Sequence, residues 1–260
     1  MGSFYLKRLW CAALTVTFAL TGCSGGGMEP ARLTVPDTVR QETPASVPPA
    51  PEDARDPEQP VVIAESADKT VSVLADSPAA GGNTFQGITV RIDGQIKRFE
   101  WQNVANPSYF PRVWTVNLDE EPDEEAVIVL TAGYGTGYSK SRVHVLKRDF
   151  REIPAEDAVG KVRMLAVTRS EMEPAARIFT LEVGGETHTF TYPEGDAGFW
   201  FDDIVFGNIT QYEVKDGKLV AEVSVQVSPG EFPGTVVCQY TYRDGKFAVS
   251  EVKFTPSSRS

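Results

Sequence analysis

The chain has 260 residues, with 36 acidic against 25 basic side chains and a formal net charge of −11. That balance argues against nucleic acid and anionic lipid headgroups as partners, because both recruit clusters of Lys and Arg. Three cysteines in all leave little material for a disulfide framework.

Lys7 and Arg8 precede an almost continuous apolar run, Leu9 to Leu20. That run is shorter than the ~20 residues needed to cross a hydrocarbon core. A charged start, a short apolar middle and small residues at the end describe an export signal over residues 1–22. Its end, Leu20-Thr21-Gly22-Cys23, resembles the lipobox of bacterial lipoprotein signals. The resemblance implies cleavage before Cys23, a diacylglycerol on its sulfur, and attachment by acyl chains to the outer face of the cell membrane, in the cell envelope. Ser24-Gly25-Gly26-Gly27 argues against the alternative, a buried N-terminal helix with an incidental cysteine. Removing residues 1–22 takes away two bases and no acid, so the exported part is more acidic still. Cys238 is then the one cysteine left free, in the β-patterned run Thr235 to Tyr240, where a small buried hydrophobe is expected rather than a nucleophile.

Residues 23–68 read as a disordered Pro/Glu-rich tether: proline recurs from Pro30 to Pro60, aromatics are absent, and acids outnumber bases. A flexible coil of roughly 45 residues spans about 35–40 Å, enough to lift a folded part clear of the headgroups. Residues 69–260 are long enough for one domain with a real core, and their pattern is period-two. Gly87 to Ile92 and Ile96 to Trp101 flank Asp93-Gly94, and Ile178 to Val183 and Thr187 to Tyr192 flank Gly184-Gly185. Asp216-Gly217 and Asp244-Gly245 mark two more hairpins, since such dipeptides tolerate the positive φ of tight turns. The first two hairpins resemble one another about 90 residues apart, which suggests a two-fold internal repeat. Between them, Pro154 to Val159 is expected to make a helical turn or two, with strand resuming over Val162 to Val167. The fold class expected is all-β: an antiparallel sandwich or distorted barrel of about ten to twelve strands.

The stretch Asn117 to Gly137, NLDEEPDEEAVIVLTAGYGTG, carries the chemistry most open to interpretation. Asn117, Asp119, Glu121 and Glu125 take positions one, three, five and nine of an oxygen-rich loop, a spacing that suits Ca²⁺. This spacing, followed by the strand Ala126 to Leu130, resembles the calcium loop of FG-GAP/VCBS-type (integrin-α-like) repeats. With Gly133-Tyr134-Gly135-Thr136-Gly137 and Val143-His144-Val145-Leu146, the region from Phe99 to Phe254 is similar to uncharacterised Gram-positive lipoproteins that carry one degenerate repeat of this kind. The resemblance implies calcium on those four side chains. Glu120 and Pro122 replace the loop glycines, Asn117 replaces an acid, and one copy does not make a propeller. The plain alternative is a solvated acidic turn between two strands.

The glycine-rich turn does not suit phosphate, because the alternating strand Ser139 to Leu146 follows it where a dinucleotide loop opens a helix. Tyr134 and Tyr138 flank it and are candidate aromatic faces for a sugar, as is Trp200 in Gly198-Phe-Trp-Phe-Asp-Asp-Ile204. His144 and His188 fall at strand positions opposite the apolar ones and are expected to be exposed. The sequence holds no His-Glu-x-x-His or Cys-x-x-Cys motif. The leading expectation is therefore a lipid-anchored, non-catalytic β-domain that binds cell-wall glycan or a protein partner. Two alternatives remain: a wall-active hydrolase using acids such as Asp202 and Glu125, and a calcium-stabilised structural domain.

Overall fold

The structure, a computed structural model, describes residues 60–78 and 82–257. The export signal, Cys23 and the tether as far as residue 59 lie outside the described residues.

Strands β1 (Val61–Glu65), β2 (Val71–Ala75), β3 (Thr84–Ile92) and β4 (Gln95–Val104) form a four-stranded antiparallel meander. A one-turn 3-10 helix, Pro107–Tyr109, leads to β5 (Arg112–Val116), β6 (Glu125–Gly135), β7 (Tyr138–Leu146) and the short β8 (Glu152–Ile153). Helix α1 (Ala158–Leu165) follows, then a second meander of β9 (Val167–Glu173), β10 (Ala176–Val183) and β11 (Glu186–Pro193). Another 3-10 turn, Glu194–Asp196, precedes β12 (Val205–Lys215), β13 (Lys218–Gln226), β14 (Gly234–Arg243) and β15 (Lys246–Pro256). The long sheet runs β15-β14-β13-β12-β7-β6-β5, with β8 on β7. Its two halves join through β12 and β7, which are parallel and share only Ile209–Ser139 and Thr210–Lys140. The fold is thus all-β with stacked antiparallel sheets and no closed barrel. Meander, 3-10 turn and second meander occur twice in chain order, as β2–β4 then β5–β7 and as β9–β11 then β12–β14.

All four expected tight turns form. Asp93-Gly94, Gly184-Gly185, Asp216-Gly217 and Asp244-Gly245 each have positive φ at both residues, matching the right-handed twist of the strands they join. Three expectations need correction. β1 pairs antiparallel with β2, so the folded part begins before residue 69. The described residues contain fifteen strands, because β1, β5, β8 and β9 are short and weakly alternating. The helix lies over Ala158–Leu165, where strand was expected from Val162. Asp157 accepts from the amides of Val159 and Gly160, which starts the helix there, and Ala158 and Val162 bury one face at helical spacing.

Two apolar clusters result. One lies between β1–β4 and β5–β7 and includes Val71, Val73, Ile88, Val90, Ile128 and Leu146. The other gathers α1, β10 and β12–β15 around residues such as Phe179, Leu181, Val223, Cys238 and Phe247. β6 serves both: Ala126, Ile128 and Leu130 enter the first cluster, Val127 and Val129 the second. Successive strand residues point to opposite faces, so a continuous run with no polar position marks a strand covered on both sides.

Candidate functional site

The acidic loop joins β5 to β6, and three of its four candidate ligands meet on one atom. Lys147 Nζ lies 2.5 Å from Asp119 Oδ2, 2.9 Å from Glu121 Oε2 and 2.8 Å from Glu125 Oε1. The side chains of Asp119 and Glu125 are fully buried and that of Lys147 is 8% exposed, while Glu121 closes the cluster from the solvent side. The remaining oxygens of the buried acids serve the loop itself. Asp119 Oδ1 accepts from the Glu121 amide and Glu125 Oε2 from the Leu118 amide. Asn117 does not join them. Its Oδ1 accepts from the Glu120 amide and its Nδ2 donates to the Glu121 carbonyl, holding Glu120 at φ 65, in the left-handed region.

Burial pushes the Lys147 ammonium down, but hydrogen bonds to Asp119, Glu125 and Glu121 outweigh it and the net direction is above the ordinary lysine value. Burial likewise raises the Asp119 carboxyl, and the Lys147 ammonium with the Glu121 amide outweigh that and carry it below the usual range.

The calcium reading can be tested on this donor set. Calcium takes six to eight oxygens at about 2.3–2.6 Å. Three side-chain oxygens converge here, and an ammonium stands at their focus. The residues present do not fit a metal ion while Lys147 is in place. Among the described residues no group of three or more His, Cys, Asp or Glu is arranged to hold one.

A second site opens where the halves of the long sheet part. A cleft of about 290 Å³ is lined by Ser108, Tyr109, Phe110, Arg112, Val129, Thr131, Ser139, Ser141 and Gln211. No Asp or Glu lines it. Arg112, on the edge strand β5, donates from Nη2 to the Tyr212 carbonyl at 2.6 Å and lies 5.5 Å from the Trp114 ring. Tyr109 stacks on Tyr134 at 4.1 Å, with Asn106 Nδ2 donating to the Tyr134 hydroxyl. Asn103, fully buried, donates to the Val104 and Tyr109 carbonyls and accepts from the Thr131 amide, tying the 3-10 turn to β6. Ser141 also lines an adjoining cleft of about 250 Å³ with Lys140, Asp157, Arg163, Asn208 and Thr210.

Of the candidate aromatic faces, Tyr134 is stacked at the cleft, and Tyr138 packs over Gly133 with Lys140 Nζ 5.8 Å from its ring. Trp200 is a correction. Its indole is 5% exposed, packs against Phe179 and Tyr192, and donates from Nε1 to the Glu194 carbonyl, so it presents no face to solvent. Asp202 and Asp203 are not placed as a reactive pair. The Asp202 carbonyl and the Asp203 carboxylate hold the β9 hydroxyls of Ser170 and Thr168. Glu125 is buried against Lys147, out of reach of a polymer substrate. Cys238 is wholly buried and burial pushes its thiol up to about 12, so it supplies no thiolate at neutral pH.

Comparison with known protein families, with curated proteins and with solved structures finds no match.

Lys147 and Arg112 are the site residues that sequence reading missed. Counting outward from the hairpin turn, Gly135–Tyr138, places Arg148 opposite Glu125. A bulge between Thr131 and Gly133 slips the register by one, so that Ala126 faces Leu146 and Lys147 comes next to Glu125. The adjacent bases Lys147-Arg148 after the strand were the available signal.

Proposed function

We propose that the protein is a non-catalytic binding module, held outside the membrane by lipid on Cys23, that takes a cell-wall glycan bearing an anionic group into the Arg112 cleft. The observation that carries this reading is the lining. One guanidinium, one amide and several hydroxyls surround the cleft with no carboxylate, in a chain of net charge −11. Hydroxyl and amide side chains match a sugar's alternating donors and acceptors, Arg112 suits a carboxylate or phosphate, and the Tyr109–Tyr134 stack adds a flat apolar wall.

The test is calorimetric titration with soluble wall-glycan fragments, acidic and neutral. Acidic fragments are expected to bind, and Q211A with Y109A to weaken binding about tenfold or more, the scale of one or two lost hydrogen bonds. Absence of binding by every fraction, or equal binding by the double variant, rejects the reading. Lipidation is tested separately by mass spectrometry of the membrane fraction, with a diacylglycerol adduct on Cys23 expected.

A further inference from the structure

The acidic loop has the spacing of a cation loop and a cation at its centre, but that cation is part of the chain. We propose that Lys147 is the resident ion of this loop, a tethered ammonium that holds Asp119, Glu121 and Glu125 together and makes the fold independent of calcium.

Three observations carry this. The ammonium lies within 2.5–2.9 Å of one oxygen from each of three carboxylates, donating to Glu121 Oε2 and Glu125 Oε1 and standing in ion-pair contact with the buried Asp119 Oδ2. The second oxygens of the two buried acids are engaged by loop amides, so the loop is closed without any further ligand. The ammonium is also launched from a rigid turn. The Lys147 amide donates to the Arg151 carbonyl, and the Phe150 amide donates back to the Lys147 carbonyl. Phe150 holds φ 65 with its ring buried in the first cluster, and Lys97 Nζ donates to its carbonyl. The register slip in β6 then places Lys147, and not Arg148, beside Glu125. Arg148 instead turns to Asp93 and to Glu124 outside the cluster. A planar guanidinium would not fit three carboxylates arranged around a point, whereas an ammonium does.

Removing the ammonium leaves the two buried carboxylates and Glu121 without their compensating charge, a deficit that an added divalent cation would offset in part. The experiment follows thermal unfolding of the full chain, purified from membranes in detergent, in millimolar CaCl₂ and in chelator, for the wild type, K147M and K147M/E121Q. The wild-type midpoint is expected to agree within about 1 °C between the two conditions. K147M is expected to melt about 10 °C lower in chelator, the scale of breaking a buried pair, and to recover at least half of that loss in calcium. K147M/E121Q is expected to recover less. Should K147M fail to fold, calorimetric titration of the wild type with CaCl₂ decides alone. Stoichiometric binding, or a wild-type midpoint raised by calcium, overturns the proposal, and no heat supports it. Folded K147M without calcium rescue also overturns it.

Discussion

His144 is stacked 3.8 Å from Trp101, which lies 4.0 Å from Phe99, and its Nδ1 is 2.7 Å from Glu152 Oε1. Its alternation with Val143 and Val145 suggested an exposed position, but β4 packs over β6 and β7 on that face, and the imidazole side chain is only 14% exposed. Burial lowers its pKa from 6.5, and Glu152 offsets this only in part. The folded state therefore prefers the neutral ring. Its stability is full above about pH 6.5 and declines as pH falls toward the folded value. The urea midpoint of the wild type should drop between about pH 7.5 and 5.5, and H144F should flatten that drop. A second decline is expected below about pH 4, because Asp119, Asp68 and Glu156 all have carboxyls held below their ordinary values. Asn103 makes a different residue-scale prediction. N103A leaves two carbonyls and one amide without their buried partner and should cost about 2–3 kcal/mol by urea denaturation.

At the scale of elements, β6 is the strand on which both clusters depend. I128A should cost about 2–5 kcal/mol by removing packing from the first cluster. V127A, one residue away, should also destabilise because it empties space in the second. On β10 only one face enters a core, through Phe179, Leu181 and Val183, so T180A should stay within about 0.5 kcal/mol. Urea midpoints of the three variants check this contrast. The run Ala126 to Leu130 was recognisable as a buried strand from its composition, but which residues serve which cluster was not. That depends on the meander β1–β4 folding back onto one face, a pairing of segments far apart in the chain.

On the scale of the molecule, the described residues, 60–78 and 82–257, belong to one compact unit. β1 covers the edge of β2, Ser66 Oγ accepts from the Val71 amide, and Asp68 accepts from Thr115 on β5. A chain beginning at residue 69 loses all three. Its melting midpoint should fall several degrees below that of a chain beginning at residue 54, with circular dichroism of the longer chain dominated by strand.

The all-β class, the four tight hairpins, the repeated order of meanders and the buried Cys238 were decided locally. Period-two alternation and positive-φ dipeptides act within a few residues, where the chain alone sets the outcome. The cation of the acidic loop, the cleft at Arg112 and the burial of Trp200 were decided by tertiary structure. Each depends on a register slip, a parting of strands or a packing face that brings together residues more than twenty positions apart, which spacing along the chain does not encode.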